Sequence, residues 1–147
     1  MTETEERFKT PQEAEAAFYA AFEAGDLAAM MAVWADSEAV ECIHPMGARL
    51  TGRKAVEEGW RQVLGGARRL KVQRKGVRYA HTRSVALHTL TEHIRVEGGS
   101  QTHAPIIATN VYHHTPRGWR MILHHASPSP EGVRQKVRET EHKITLH

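Results

Sequence analysis

The sequence has a single cysteine, Cys42, among its 147 residues. One cysteine excludes an intrachain disulfide and a metal cluster built on cysteine ligands. Cys42 lies in an apolar stretch, where a buried and inert thiol is expected rather than a nucleophile. The H-E-x-x-H pattern of zinc hydrolases is also missing. We predict no metal and no cofactor, although a cluster across strands, such as His88 with His125, stays open.

Long apolar runs are absent as well. No stretch approaches the roughly 20 apolar residues that a membrane-spanning helix needs, so we predict no membrane partner. The first residues, Thr2-Glu3-Thr4-Glu5-Glu6, are acidic. A secretory signal begins with basic residues and continues into an apolar segment, so these residues predict a cytoplasmic protein.

Aromatic residues make up only 6% of the chain, and the main basic cluster contains none. This cluster comprises Arg68, Arg69, Lys71, Arg74, Lys75 and Arg78. It could touch phosphate, but binding to single strands needs interleaved aromatics, and no nucleic-acid motif accompanies it. We interpret the cluster as a solvated strand face and predict no nucleic-acid partner.

The elements that are present begin with helices. Thr10-Pro11-Gln12-Glu13 is a capping box with proline at the first helical position, and Gly25 ends that helix. Asp26 caps a second helix directly. A short strand over residues 39–44 stops at Pro45, and a third helix with Val56 and Trp60 on its apolar stripe follows.

The second half of the chain is mostly β. We predict strands over residues 70–79, with Gly76 as a bulge, and over 85–96. Residues 106–112 and 119–123 form a hairpin around the turn Thr115-Pro116-Arg117-Gly118. Helices followed by strands predict an α+β fold, a curved antiparallel sheet wrapped around three N-terminal helices. We place one domain at residues 1–130, beginning with a frayed leader over 1–9, and a charged tail at 131–147.

Several segments in this order carry a resemblance. They are F-Y-A-A-F-E-A-G-D-L-A-A-M-M-A-V-W-A-D, the His44-Pro45 strand end, G-R-K-A-V-E-E-G-W, and the pair T-N-V-Y and G-W-R-M-I-L-H-H-A-S. Over Thr10 to Ser127 the chain resembles the nuclear transport factor 2-like superfamily, which includes ketosteroid isomerases and SnoaL-like polyketide cyclases. It is most similar to the SnoaL-like domains. The resemblance implies a cone-shaped α+β barrel, a pocket between sheet and helices, and a homodimer.

The resemblance does not carry a reaction with it. The tyrosine and protonated aspartate of ketosteroid isomerases have no counterpart at matching strand positions, and neither does the Asp-Arg-Asp set of limonene epoxide hydrolases. Candidate site residues therefore follow from strand parity, because alternate residues of a strand face one side.

Glu92 shares a strand face with Ala86, His88, Leu90, Ile94 and Val96. Most of these are apolar, so we predict that Glu92 faces inward. An unpaired buried carboxyl has a raised pKa and can act as a general acid or base near neutral pH. The alternative is that Glu92 pairs with an arginine or histidine and supports packing.

Two further strand residues are candidates. On the last strand, Trp119, Met121, Leu123 and His125 share a face, which predicts His125 as a catalytic histidine or a satisfied core histidine. A single bulge would exchange His124 and His125, so which of the two faces inward stays open. On the third strand, Asn110 lies among apolar residues, where an amide must be hydrogen-bonded. Asn110 could bind a substrate carbonyl or hold a neighbouring side chain.

The remaining candidates lie at strand and helix positions that border the predicted pocket. His44 ends the first strand, where it could act catalytically or sit in solvent as a turn residue. Trp34 and Trp60 are expected in the core or in the pocket's apolar wall. Tyr19, one position off the first helix's apolar face, could offer a hydroxyl at the pocket mouth.

Two kinds of function remain. One is a site for a small hydrophobic molecule, with Glu92, His125 and His44 handling protons in cofactor-free isomerase, cyclase or hydratase chemistry. The other is a non-catalytic homodimer that binds a ligand or serves in assembly. An open cavity with an unpaired Glu92 would favour the first, and a filled cone with Glu92 paired to a basic side chain the second.

Overall fold

The three predicted helices and the predicted strands occur in the predicted order, and a short strand and a C-terminal helix are added to them. The structure, a computed structural model, describes residues 7–66, 68–99 and 103–145, without the side chains of 135, 136 and 142–145. The helices of this part are α1 (Pro11–Ala24), α2 (Leu27–Val33), α3 (Arg53–Leu64) and α4 (Pro130–Thr145). The strands are β1 (Glu41–Ile43), β2 (Arg49–Thr51), β3 (Leu70–His81), β4 (Val85–Val96), β5 (Ile106–Thr115) and β6 (Gly118–Pro128).

The first two helices begin and end where their sequence signals predict. The hydroxyl of Thr10 accepts a hydrogen bond from the backbone N–H of Glu13 at 3.1 Å and caps α1. Gly25 ends this helix in the left-handed conformation, with φ of 66°. Asp26 then caps α2 by accepting from the N–H of Ala29 at 3.0 Å. The corner therefore turns α2 back against α1 without an intervening loop.

The core lies between the helices and one face of the sheet. Phe18 and Phe22 of α1 meet Trp60 of α3 edge to face, with ring centroids 5.3 and 5.2 Å apart. Phe18 and Trp60 are fully buried. Each such aromatic side chain buries a large apolar area, so this cluster fixes α1 and α3 against each other.

The sheet has the strand order β2-β1-β6-β5-β4-β3 and curves around the helices. The α+β fold is confirmed, with one difference in strand direction. The predicted sheet was antiparallel throughout, whereas β1 runs parallel to β6, with Cys42 beside His124. No hairpin connects these two strands, so nothing forces them to run antiparallel.

Two bulges change the strand pairing. Gly76 has φ of 61°, and the register of β3 against β4 shifts between Lys75 and Arg78, which confirms the predicted bulge. A second shift lies between β5 and β6. Val111 pairs with Leu123 while Tyr112 pairs with Met121, so Ile122 is the extra residue. This second bulge decides which histidine of β6 faces the core.

The ends of the chain differ from prediction. Of the frayed leader predicted over residues 1–9, residues 1–6 lie outside the described residues, and residues 7–9 are not frayed. The N–H of Arg7 donates to the carbonyl of Arg117 at 3.1 Å, and the N–H of Trp119 donates to the carbonyl of Phe8 at 2.9 Å. Residues 130–145 form α4, where irregular chain was expected. The hydroxyl of Ser129 caps this helix by accepting a hydrogen bond from the backbone N–H of Gly132. Among the described residues, no helix is long and apolar enough to cross a membrane.

Candidate functional site

Polar side chains line the concave face of the sheet. His88, Asn110 and His124 are paired neighbours on β4, β5 and β6, and all three are buried. Glu92 lies four residues after His88 on the same face and is 2% exposed. Strand parity therefore predicted the facing of Glu92 and Asn110 correctly. The helices cover this row, so these groups lie in the core.

Three of these side chains, Glu92, Asn110 and His124, form a continuous chain of hydrogen bonds together with Tyr19. The hydroxyl of Tyr19, from α1, donates to Oε2 of Glu92 at 2.7 Å. Nδ2 of Asn110 donates to the same hydroxyl at 3.0 Å. Oδ1 of Asn110 lies 2.6 Å from Nδ1 of His124. Tyr19 is thus central and 3% exposed, rather than at a pocket mouth.

All donors in this chain point toward Glu92. Because Oδ1 of Asn110 can only accept, Nδ1 of His124 carries the proton. Burial, followed by the charges of His44 and His125, lowers the pKa of His124 to about 3, so its ring is neutral. A neutral His124 donates to Asn110, Asn110 donates to Tyr19, and Tyr19 donates to Glu92. Hydrogen bonds aligned in this way strengthen one another and stabilise negative charge on Glu92.

Three influences, which do not all act in the same direction, set the pKa of Glu92. Burial raises its pKa to about 7, the hydrogen bond from Tyr19 lowers it, and the nearby charge of Glu15 raises it. Arg74 is its direct cross-strand neighbour on β3. The guanidinium of Arg74 lies instead 3.4 Å from Oε2 of Glu15. Glu92 is therefore a carboxyl that exchanges its proton near neutral pH and accepts a hydrogen bond from a tyrosine hydroxyl.

A second buried cluster was missed in the sequence. Glu15 of α1 is 1% exposed, and its Oε1 lies 3.2 Å from Nδ1 of the fully buried His88. The angles at this contact do not meet those of a hydrogen bond. Neither ring nitrogen of His88 has a hydrogen-bond partner in the described part of the chain. The available signal was spacing, because Glu15 precedes Tyr19 by four residues and must share its helix face.

His125, predicted as a site residue, does not face the core. It is exposed on the outer face, while His124 is buried. The bulge at Ile122 inserts one residue into β6 and reverses the parity of everything after it. His88 and His125 consequently lie on opposite faces of the sheet and cannot share a metal ion. Within the described ranges, no three His, Cys, Asp or Glu side chains come together as a metal site.

His44 and Trp60 lie beside the chain of hydrogen bonds. Their rings meet edge to face, with centroids 4.6 Å apart, and the His44 ring centroid lies 6.3 Å from that of His124. Nε2 of His44 is 3.6 Å from Sγ of Cys42. Burial lowers the pKa of His44 and raises that of the Cys42 thiol to about 12, which makes the thiol unreactive.

Trp34 is not part of this group. It is buried at the end of α2 and lines a separate cavity of about 1130 Å³ near the β5–β6 turn. A second cavity of about 590 Å³ lies beside Pro45 and α4. Neither cavity is lined by Glu92, Tyr19 or Asn110. Glu92, Tyr19 and Asn110 are themselves buried.

Comparison with solved structures shows how widely this architecture is shared. A Thiobacillus denitrificans protein, provisionally named a calcium/calmodulin-dependent protein kinase type II association domain, is 46% identical with a TM-score of 0.80. The match covers 85% of this chain and 99% of that one. A Streptomyces avermitilis protein, provisionally named a dehydratase of the NTF2-like family, is 31% identical with a TM-score of 0.74, covering 81% and 93%.

Comparison with sequences gives the family. F-box protein SKIP8 of Arabidopsis thaliana is 30% identical over 101 residues, which are 69% of this chain. The match spans 42% of that protein's length. The model of the SnoaL-like domain matches residues 12–130, most of the chain. This protein therefore belongs to the family of SnoaL-like domains.

Proposed function

We propose that the protein binds a small, mostly hydrophobic carbonyl compound next to Glu92 and moves a proton on it without a cofactor. The observation that carries this proposal is the state of Glu92, a buried carboxyl with a pKa of about 7 and a tyrosine hydroxyl as its partner. A general acid or base works best when its pKa is near the operating pH. Isomerisation, cyclisation and hydration or dehydration all need such a group, and the 31% identical Streptomyces protein is provisionally named a dehydratase.

The neighbouring groups have matching roles. Glu92 would take a proton from the carbon beside the carbonyl and return it elsewhere. The remaining N–H of Asn110 would donate to the developing oxyanion, which is stabilised by fixed donors in a dry site. Nε2 of His88, which has no hydrogen-bond partner among the described residues, offers a further position for a polar substituent.

Access to Glu92 requires α1 and β3 to separate. The ion pair between Glu15 and Arg74 joins these two elements, and Arg74 is about one-third exposed. The ring of Tyr79 of β3, half exposed, meets that of His88 edge to face, with ring centroids 4.4 Å apart. A ligand that displaces Arg74 and Tyr79 would reach the buried polar row from this side.

The test is a thermal-shift screen of hydrophobic ketones, steroids and aromatic acids against the full chain. A ligand that binds only the folded state raises the melting temperature, by an amount equivalent to about 3 kcal/mol at 100 times its dissociation constant. We expect at least one hit that Glu92→Gln weakens. Each hit is then assayed for exchange of its α-protons with deuterated water.

Glu97→Gln is the matched control for this screen. Glu97 is half exposed, and its carboxylate lies 4.0 Å from Lys71. Hits that Glu97→Gln weakens as much as Glu92→Gln, or that show no Glu92-dependent proton exchange, would speak against the proposal.

A second candidate, assembly as a homodimer, is favoured by the outer face of the sheet. Leu87 and Ile107 are 40% and 42% exposed there, and Leu87 is in register with Val111, which in turn pairs with Leu123. Exposed apolar patches of this kind mark interaction sites. The 46% identical Thiobacillus protein is provisionally named an association domain.

Sedimentation equilibrium at micromolar concentration tests this candidate. We expect the native chain to be a dimer and Leu87→Lys/Ile107→Lys to be a monomer, because two buried lysines without partners cost several kcal/mol. Val133→Lys on α4, where Val133 is 51% exposed, is the control and should remain a dimer. A monomeric native chain would overturn the candidate.

A further inference from the structure

The larger cavity is separate from the Glu92 site. It lies between the end of α2, the start of α3, the β5–β6 turn and the segment around Arg7, and it measures about 1130 Å³. His113 and Arg120 are directly opposed across the hairpin. Their strand neighbours Tyr112 and Met121 face the core, so His113 and Arg120 point to the opposite side.

Positive charge dominates the lining of this cavity. Its charged side chains are four arginines and one acid, namely Arg7, Arg53, Arg117, Arg120 and Asp36. The like charges of Arg7 and Arg117, together with burial as the larger cause, lower the pKa of Arg120. Like charges gathered around one space repel each other, and an anion placed between them removes that repulsion.

The arginines are held in place rather than spread over a surface. Arg53 donates from Nη1 to the carbonyls of Trp34 and Ala35 at 3.1 Å, and from Nη2 to that of Met31 at 2.8 Å. These bonds leave the guanidinium fixed in the cavity wall. Three of the five N–H donors of Arg53 are used in these bonds, so what Arg53 brings to the cavity is a positive charge held in a fixed place.

The N-terminal segment brings two more guanidinium groups together. The guanidinium carbons of Arg7 and Arg120 lie 4.9 and 5.0 Å from the centre of the Phe8 ring. Gly118, with φ of 105°, allows this approach, because a Cβ at that position would overlap the backbone of residue 7. The chain therefore uses a glycine to place Arg7 over the turn.

Trp34 packs into the same wall with its indole nitrogen buried. It lines the cavity, is 2% exposed, and its indole N–H has no hydrogen-bond partner among the described residues. A buried N–H without a partner is costly unless a ligand or water accepts from it.

From the cavity and the arginines gathered around it we infer a binding site for a small anion that carries two or more carboxylate or phosphate groups. Arginine recognises both groups through paired hydrogen bonds. The site is independent of Glu92 and of the proposed proton transfer. Such carboxylates could also come from the chain itself, because Glu3, Glu5 and Glu6 directly precede Arg7 in the sequence.

Isothermal titration with citrate and with pyrophosphate tests the site in the full chain at low ionic strength. We expect at least one of the two anions to bind, and Arg7→Gln to weaken binding about tenfold, the equivalent of about 1.4 kcal/mol. Arg7→Gln leaves the backbone bonds of Arg7 in place, and Arg7→Lys, which keeps the charge but loses the fork, should weaken binding less. Unfolding curves without ligand establish that each variant is folded.

Arg83→Gln is the matched control, since Arg83 is exposed in the β3–β4 turn and the variant removes the same charge. Equal weakening by Arg83→Gln and Arg7→Gln would show diffuse attraction and overturn the site. A variant with Glu3, Glu5 and Glu6 changed to glutamine distinguishes the sources. If this variant binds the added anion more tightly than the native chain, the chain's own carboxylates compete for the site. If the affinity is unchanged, the site is assigned to a free anion. No binding by either the native chain or this variant would also overturn the site.

Discussion

Between pH 4.5 and pH 7 the free energy of unfolding of the native protein is expected to fall by about 3 kcal/mol because of Glu92. The Glu92→Gln variant should not show this fall. The pKa of Glu92 rises from 4.5 to about 7 on folding. Between these values the unfolded chain releases this proton while the folded chain keeps it. The free energy of unfolding therefore falls as pH rises, and the contribution of Glu92 is complete below pH 4.5 and lost above pH 7.

Urea denaturation at half-unit pH intervals measures this effect. The quantity is the difference between the native protein and Glu92→Gln, because other groups cancel in it. Glutamine keeps an oxygen to accept from Tyr19, so the variant should fold. Glu97→Gln serves as the exposed control. A native-minus-variant difference that is constant across pH 4.5–8 would contradict a raised pKa for Glu92.

Replacing His124 with asparagine is expected to remove an even larger pH dependence with the opposite sign. The pKa of His124 falls from 6.5 to about 3 on folding, because burial penalises its charged form most. As pH falls below 6.5, the unfolded chain takes up a proton that the folded chain does not. The native protein should therefore lose about 5 kcal/mol between pH 6.5 and pH 3 through this residue.

Asparagine suits this test because its amide nitrogen lies near the position of Nδ1 and can still donate to Asn110. The variant loses ring contacts with Phe18 and Trp60, so we expect it to be less stable at neutral pH. The measured quantity is again the difference in free energy of unfolding between the native protein and the variant, followed as a function of pH. His125→Asn, one residue away and exposed, is the control. If His125→Asn abolished the loss of stability at acid pH and His124→Asn retained it, the assignment of this loss to His124 would be refuted.

The two groups oppose each other between pH 4.5 and pH 6.5. Glu92 lowers the free energy of unfolding as pH rises through this window, and His124 raises it by a similar amount. Their contributions should nearly cancel in the native protein. Each single variant should therefore show a steeper pH dependence than the native protein in this window, with slopes of opposite sign.

The fold was predictable because its signals are local. The capping box at Thr10, the positive φ of Gly25 and the bulge at Gly76 each depend on a few neighbouring residues. Alternation along β4 and β5 gave the facing of Glu92 and Asn110 for the same reason. Helix α4 also has a local signal, because Ser129 stands before Pro130 as a cap. Its polar composition nevertheless favoured the prediction of a charged tail.

The site was only partly predictable because its partners are distant in the sequence. Tyr19 and Glu92 are separated by 73 positions, and their hydrogen bond depends on how α1 crosses the sheet. The exchange of His124 for His125 depends on a bulge that neither proline nor glycine marks. Ile122 can be accommodated as an extra residue only because β5 and β6 pair on both sides of it.

The central claim is that Glu92 keeps its proton up to near neutral pH inside the core. The most direct test is a ¹³C NMR titration of the glutamate side-chain carboxyls, with Glu92→Gln identifying the signal that disappears. The account predicts a midpoint of about 7 for this signal, moving higher in Tyr19→Phe because the stabilising hydroxyl is removed. A midpoint near 4.5 that Tyr19→Phe leaves unchanged would show a carboxyl that is ionised like any surface glutamate, and would contradict the account.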